Sequence, residues 1–286
     1  MRVAAAQIDI AVGDKARNLE TVERVLRDAA AQGVELVVFP ECTLTGYVIS
    51  ERAEMEALAE PVLGESTERV VDLCAELGLA AVVGLLERRA DAYYNTGVLL
   101  DGVGVIGLYR KSHLIQLGVD RLLSPGTSLE PFLTPWGRLG MLICYDQRFP
   151  EAARALALQG ARVILNPANL PQGAEAHADF FNRARACENR IFLVNANRVG
   201  TERGSTFIGR SQIIDPRGSV LAEGPKAAEA LLVADIQPEL ADHKHVVIIP
   251  EDYEFDIVLD RRPDLYGPLA EQQTTACTER TTRGQM

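Results

Sequence analysis

The chain alternates between short apolar runs and longer amphipathic stretches. Residues 34–39 are apolar at almost every position, a pattern typical of a strand that is covered on both faces. Residues 15–32 instead place apolar side chains on one face of a helix, and Gly33 supplies a favoured helix end. The same reasoning predicts strands at 2–8, 34–39, 79–86, 94–100, 104–110, 137–144, 161–167, 191–197 and 230–236, and helices at 15–32, 66–77, 150–160 and 176–190.

Two segments have the pattern of a β-hairpin. Asp101-Gly102 separates two of the predicted strands, and residues 211–224 turn at Asp215-Pro216-Arg217-Gly218. Strands with helices between them predict an α/β fold with layered sheets and helices on the outside. No stretch resembles a linker, so residues 1–267 are predicted to form a single domain. The polar segment 268–286 is predicted to be a mobile tail.

The charge of the chain narrows the classes of partner. Among 286 residues, 29 are Lys or Arg and 40 are Asp or Glu, which gives a formal net charge of −11. Such an acidic chain is a poor candidate for nonspecific binding to nucleic acid or to an anionic membrane surface. We therefore expect neither nucleic acid nor membrane as a partner.

The cysteines and the N-terminal segment indicate the cellular compartment of the protein. The five cysteines are scattered and form no CxxC pair, which fits a reducing environment. The first ten residues include Asp9 where a signal peptide would stay apolar, and no apolar run is long enough to span a bilayer. The chain is predicted to be cytoplasmic.

The sequence gives no reason to expect a cofactor or a metal. No GxGxxG or GxxxxGK[ST] motif is present, so nucleotide binding is not expected. His243-Lys244-His245 has no cysteine nearby and is interpreted as a solvated loop rather than a metal site.

Three reactive side chains follow three predicted strands. Glu41 comes after the apolar run 34–39, Lys111 follows 104–110, and Cys144 ends 137–144. Strand ends hold side chains on rigid elements and still leave them accessible. A nucleophile on a sharp turn between a strand and a helix is a known arrangement in hydrolases.

These three residue types suit the hydrolysis of an amide. A thiol with a pKa of about 8.5 needs a partner to ionise near neutrality, and Glu41 would accept its proton. Lys111 and the backbone N–H of Tyr145 would stabilise the oxyanion. Each residue also has an ordinary interpretation: Cys144 as an inert core residue, Glu41 as a turn or cap residue, and Lys111 as a solvated residue at a strand end. His113 is interpreted as a supporting residue.

Several motifs, in order along the chain, resemble those of the nitrilase or carbon–nitrogen hydrolase superfamily. The resemblance extends from residue 3 to about residue 236. It is carried by LVVFPECTLTGY (36–47), YRKSHL (109–114), GRLGMLICYDQRFPE (137–151), RARACENRIFLVNANRVG (183–200) and GRSQIIDPRG (209–218).

This resemblance implies a fold, a catalytic set and an assembly. The implied fold is a four-layer αββα sandwich, and the implied catalytic triad is Glu41, Lys111 and Cys144. The family also builds homodimers or higher homo-oligomers in which a C-terminal tail packs on the partner. Here that interface tail would begin at about residue 240 and include residues 248–267.

Many members of the family carry a second glutamate after the lysine motif. This chain has no glutamate between His113 and Pro125, but it has Asp120 followed by Arg121. Some amidases of the family that act on linear carboxamides have this Asp-Arg pair. Asp120 is therefore proposed as the supporting acid that orients Lys111, with an exposed loop acid as the alternative.

The residues after Cys144 narrow the substrate class. Nitrilases of the family usually continue with Trp-Glu, whereas this chain continues with Tyr145-Asp146, which resembles the amidase and carbamoyl-hydrolase branches. By analogy, the substrate-binding candidates are Tyr47, Tyr145 and Asn169. Tyr47 has the alternative role of packing under its loop.

Together these features predict an amidase that converts a small linear carboxamide to a carboxylate and ammonia through a cysteine thioester. One alternative is a hydrolase of N-carbamoyl amino acids or amines. Another is a non-catalytic binding or scaffold member, although the intact set of Glu41, Lys111 and Cys144 argues against it.

Overall fold

The computed structural model describes residues 1–271, so most of the tail predicted at 268–286 lies outside the described residues. The strands are β1 Arg2–Gln7, β2 Leu36–Val38, β3 Ala80–Arg89, β4 Ala92–Leu100, β5 Val105–Arg110, β6 Phe132–Thr134, β7 Gly137–Met141, β8 Val163–Ala168, β9 Phe192–Asn197, β10 Thr201–Glu202, β11 Ser205–Thr206, β12 Gln212–Ile214, β13 Val220–Glu223, β14 Ala230–Asp235, β15 His245–Ile249 and β16 Tyr253–Asp256. The α-helices are α1 Lys15–Ala30, α2 Arg52–Leu58, α3 Glu65–Leu77, α4 Pro150–Leu158 and α5 Asn182–Asn189. Short helical turns cover Gly118–Leu122, Cys144–Arg148, His177–Phe181, Pro238–Asp242, Pro263–Leu265 and Gly267–Leu269.

Two six-stranded mixed sheets organise the part of the chain that the structure describes. The strand order is β14-β1-β2-β3-β4-β5 in the first sheet and β13-β12-β9-β8-β7-β6 in the second. Three neighbouring strands run parallel within each sheet, β1 to β3 in the first and β7 to β9 in the second. The outer strands pair antiparallel.

Successive side chains along the central strands point alternately into two different hydrophobic cores. On β1, Val3 and Ala5 belong to the core shared with the second sheet, whereas Ala4 and Ala6 belong to the core that includes α1 and α3. Because successive strand residues point to opposite faces, one strand contributes to both cores. Helices α4 and α5 contribute buried residues to the core of the second sheet. The result is the four-layer αββα sandwich that the resemblance implied.

The chain divides into two compact units between Lys244 and His245. The first unit contains both six-stranded sheets and the five α-helices found among residues 1–271. The second begins with an antiparallel hairpin in which β15 pairs with β16. Whether this segment is an interface tail of a single domain stays a prediction.

Both predicted hairpins and the main helices are present, with differences at their ends. The predicted helix at 176–190 begins with a π-helical turn, His177–Phe181, before α5. The strand predicted at 137–144 was too long, because β7 ends at Met141 and Cys144 begins a 3₁₀ turn. Helix α2 was missed, since a helix of seven residues gives only a weak periodic signal.

Candidate active site

Cys144 lies on a sharp turn after β7. The residue begins the 3₁₀ turn Cys144–Arg148 and has a φ of 48°, in the left-handed region. That conformation costs an L-residue about 1–2 kcal/mol and persists only where the surrounding structure enforces it. The residue is 8% exposed, so it is largely covered.

Lys111 follows β5 directly and lies between two carboxylates. Its Nζ atom is 2.7 Å from Glu41 Oε1 and 2.7 Å from Asp120 Oδ2. All three side chains are fully buried. The structure therefore brings together three of the predicted site residues, which lie up to 79 positions apart in the sequence, and Asp120 is not an exposed loop acid.

Asn95, on β4, connects the same two carboxylates and was missed by the sequence reasoning. Its Nδ2 atom donates to Glu41 Oε1 at 2.7 Å and to Asp120 Oδ1 at 3.0 Å. Its backbone oxygen accepts from the Lys111 N–H at 2.9 Å. The available signal was an amide side chain within a predicted strand, because a polar group that becomes buried there is retained only where it has partners.

The buried charges shift one another's proton affinities. Burial raises the pKa of Glu41, and the charge of Asp120 raises it further, whereas Lys111 and Asn95 lower it. Burial alone would lower the pKa of Lys111, but the charges of Glu41 and Asp120 outweigh it, so that pKa is well above its usual value. Lys111 is therefore a fixed cation, and Glu41 is the group that can hold a proton.

Burial also raises the pKa of the Cys144 thiol well above its usual value, and the charge of Glu41 adds to this effect. Lys111 and a hydrogen bond from the backbone N–H of Asn169 act in the opposite direction. The thiol is thus protonated at neutral pH and needs a base to become nucleophilic.

Two of the substrate-binding candidates also support the site internally. The Asn169 side chain donates from Nδ2 to the backbone oxygen of Glu41 at 2.8 Å. Tyr47 is 1% exposed, its hydroxyl donates to the Leu117 backbone oxygen at 3.2 Å, and its ring centre lies 5.6 Å from Lys111 Nζ. Tyr47 therefore packs beneath its loop and against the lysine.

Tyr145, the third candidate, is partly exposed beside Cys144. Its ring makes an edge contact with Phe149 at 5.2 Å. As the second residue of a short helical turn, it has a backbone N–H without an acceptor inside that turn.

A second buried ion pair supports the loop that carries Tyr47, and the sequence reasoning missed it as well. Glu202 accepts hydrogen bonds from the backbone N–H groups of Tyr47 and Val48 and pairs with Arg198. Arg198 is fully buried and also donates to Asp9 and Ile10. The contact from Glu202 to Tyr47 spans 155 positions, a distance over which spacing carries no signal.

No group of three or more His, Cys, Asp or Glu side chains within residues 1–271 could hold a metal ion. No helix of that part of the chain is long and apolar enough to cross a membrane. A cytoplasmic location stays a prediction.

Comparisons with known proteins show which family the chain is similar to. The model of the family described as carbon-nitrogen hydrolase matches residues 2–244. A nitrilase from Pyrococcus abyssi is 36% identical over 93% of this chain and 99% of its own, and an N-carbamoylputrescine amidase from Solanum tuberosum is 34% identical over 93% and 94%. Among solved structures, a mutant amidase from Nesterenkonia sp. AN1 with acrylamide added to its active-site cysteine superposes with a TM-score of 0.77, at 28% identity over 94% of this chain and 99% of that one. The chain belongs to the carbon–nitrogen hydrolase family of the nitrilase superfamily and is an amidase-type enzyme that acts on non-peptide C–N bonds.

Proposed function

We propose that this chain hydrolyses a small linear carboxamide to its carboxylate and ammonia through a thioester on Cys144. The observation that carries the proposal is the buried Lys111 ammonium, 2.7 Å from both Glu41 and Asp120, whose charges act on the Cys144 thiol. This set supplies a nucleophile, a base and a fixed positive charge, which are the groups that acyl transfer from an amide requires.

In the proposed reaction Glu41 accepts the thiol proton while the Cys144 sulfur attacks the amide carbon. Lys111 and the Tyr145 N–H stabilise the oxyanion, and Glu41 then delivers its proton to the nitrogen, so that the C–N bond breaks and ammonia leaves. Water attacks the thioester while Glu41 accepts its proton, the C–S bond breaks, and Glu41 returns that proton to the Cys144 sulfur. The acid product loses its own proton to solvent and leaves as the carboxylate. Asp120 holds Lys111 in place throughout.

The pKa shifts support these roles. The pKa of Cys144 is raised, so the thiol needs a base, and the pKa of Glu41 is raised toward the range in which a carboxyl group both accepts and returns a proton. The raised pKa of Lys111 keeps its positive charge at every pH at which the enzyme would work.

Asn169 and Tyr145 are the residues that we propose to contact the substrate. The Asn169 Oδ1 atom is buried without a hydrogen-bond partner in the described residues, so it offers an acceptor that a substrate amide N–H would satisfy. Tyr145 is partly exposed beside the nucleophile. Tyr47, whose hydroxyl is already bonded, would form an apolar wall instead.

A second candidate function is the hydrolysis of an N-carbamoyl amine or amino acid. The relative from Solanum tuberosum carries the name N-carbamoylputrescine amidase, and its similarity covers almost the whole chain. Attack of the same thiol on the carbamoyl carbon would release ammonia, and water would then convert the thioester to a carbamic acid, which decomposes to carbon dioxide and the amine.

The test is ammonia release from a panel of linear carboxamides, N-carbamoyl compounds and nitriles, with Cys144→Ala measured beside the wild type. Release from carboxamides that disappears in the variant supports the proposal. Release only from carbamoyl compounds, together with carbon dioxide, selects the second candidate. If the folded wild type releases ammonia from none of these compounds, both candidates are wrong.

We also propose that the protein forms a homodimer or a larger homo-oligomer through its C-terminal segment. An isolated two-stranded hairpin is marginally stable in water, yet β15 and β16 expose Val247, Ile249 and Tyr253 at about half of their surface. Light scattering should therefore give at least twice the chain mass of 31.2 kDa. A monomer at micromolar concentration would contradict the proposal.

A further inference from the structure

Asp146, two residues after Cys144, is fully buried and accepts hydrogen bonds from three residues. Its Oδ2 atom accepts from the Ile143 N–H at 2.9 Å and from the Tyr109 hydroxyl at 2.9 Å. Its Oδ1 atom accepts from the His113 N–H at 3.0 Å and lies 2.6 Å from His113 Nδ1. Neither the reaction described above nor the catalytic set includes this carboxylate.

These contacts connect the two segments that carry the nucleophile and the lysine. Tyr109 and His113 lie two positions before and after Lys111, so the carboxylate is bonded to both sides of the lysine. Ile143 precedes Cys144, and the Asp146 N–H donates back to the Ile143 oxygen at 3.0 Å, which closes the left-handed turn at the nucleophile. One buried side chain therefore spans from the Cys144 turn to the Lys111 segment.

The imidazole of His113 adds a second contact between the same segments. It stacks on the ring of Phe149, with centroids 4.0 Å apart and planes 16° apart, and Phe149 makes the edge contact with Tyr145. Because its Nδ1 faces a carboxylate, that nitrogen carries a proton and the ring orientation is fixed. About a third of the side chain is exposed, so substitutions here are tolerated better than in the core.

We propose that Asp146 and His113 are positioning residues, which hold the Lys111 ammonium at a fixed distance from the Cys144 sulfur. The inference rests on the proposed function of the site. A displacement of about 1 Å between reacting groups costs roughly 10²-fold in rate, so such a contact affects catalysis even though neither residue touches the substrate. Buried carboxylates with several donors form rigid local networks, which suits this role.

The experiment compares His113→Phe and Tyr109→Phe with the matched control Tyr94→Phe. The first variant keeps an aromatic ring over Phe149 but removes the Nδ1 donor, and the second removes only a hydroxyl. Tyr94 lies on the adjacent strand, and its described contact is to the guanidinium of Arg110, 5.0 Å from its ring centre. We expect kcat to fall about 10- to 100-fold in His113→Phe and less in Tyr109→Phe, with KM changed by less than about threefold and the control unchanged.

Two further measurements separate positioning from simple structural support. Alkylation of Cys144 by iodoacetamide, followed by peptide mass, should slow in His113→Phe, because Lys111 would no longer stabilise the thiolate. The double variant His113→Phe/Asp146→Asn should lose no more kcat than Asp146→Asn alone, since the two residues act as a unit.

Unchanged kcat and unchanged Cys144 alkylation in a folded His113→Phe would overturn the inference, as would additive losses in the double variant. The alkylation requires no substrate. A wild type that hydrolyses nothing would therefore contradict the proposed function, while a change in alkylation in His113→Phe would still support the positioning role.

Discussion

Replacing Asp120 with asparagine tests the most unusual feature of the site, a fully buried lysine held between two carboxylates. In the native protein Asp120 Oδ2 is 2.7 Å from Lys111 Nζ, and Oδ1 accepts from Asn95. An asparagine keeps the size but has only one acceptor oxygen. Its NH₂ group would therefore face either Lys111 or Asn95, and both of these groups are donors.

The expected loss follows from the burial of the pair. Removing one partner of a buried ion pair costs about 3–5 kcal/mol, and the lower end applies here because Lys111 keeps Glu41 at 2.7 Å. A loss of about 3 kcal/mol in the free energy of unfolding corresponds to a melting temperature lower by roughly 6–12 °C. Because a displaced Lys111 would stabilise the oxyanion less well, kcat/KM should fall by about 10²–10³.

The pH profile of Asp120→Asn provides a second, independent readout. The charge of Asp120 raises the pKa of Glu41, so removing that charge should lower it. Glu41 must be ionised to accept the thiol proton, so the rise of kcat/KM with pH should occur at lower pH in the variant. A melting experiment and a pH series with the preferred amide give both results.

The matched control is Asp72→Asn, which removes a carboxylate from an exposed position of α3. Its melting temperature and pH profile should equal those of the wild type, because surface substitutions of this kind change stability by less than about 0.5 kcal/mol. The reasoning is refuted if Asp120→Asn matches this control in stability, in kcat/KM and in the pH at which kcat/KM rises.

Three other substitutions have defined expectations. Asn95→Leu removes the shared donor of Glu41 and Asp120, so thermal denaturation should show a loss of about 1–3 kcal/mol, and equal stability would contradict the role of the amide. Burial lowers the pKa of His177 to about 4, with help from the charge of Arg148, so its folded form stays neutral. The resulting contribution to the free energy of unfolding is complete above pH 6.5 and is lost as the pH falls to about 4, a loss of about 3 kcal/mol. Urea titrations over this pH range should find a smaller loss in His177→Gln. Glu41→Gln should abolish ammonia release, and an ammonia assay with more than a few per cent of wild-type activity would exclude Glu41 as the base.

The ends of these strands were predictable because a buried strand appears in the sequence as a continuous run of apolar residues. Lys111 does follow β5 directly, as the apolar run indicated. Glu41 follows β2 after two intervening residues, and β2 is only three residues long in the structure. Cys144 likewise follows β7 after two intervening residues, and its left-handed conformation cannot continue the extended backbone of that strand.

The supporting residues were not predictable in the same way. Asn95 and Glu41 lie 54 positions apart, and Glu202 and Tyr47 lie 155 positions apart, so no periodicity within an element connects them. Asn95 on β4 contacts Glu41 after β2, and Glu202 on β10 contacts the loop that carries Tyr47, so both contacts depend on the tertiary fold rather than on local sequence. Asp120 was found only through the resemblance, since it lies in a short 3₁₀ turn without an apolar pattern of its own.

The charges of the site explain why these supporting groups are needed. Glu41 and Asp120 carry two negative charges when both are ionised, and Lys111 supplies one positive charge, so the buried set is left with one excess negative charge. Burial makes that excess costly, and the cost is relieved when Glu41 takes up a proton, which is the reason that its pKa is raised. In the proposed reaction this proton is the one transferred from the thiol and then to the departing nitrogen. The second carboxylate therefore has two effects, because it fixes the lysine and also increases the basicity of Glu41.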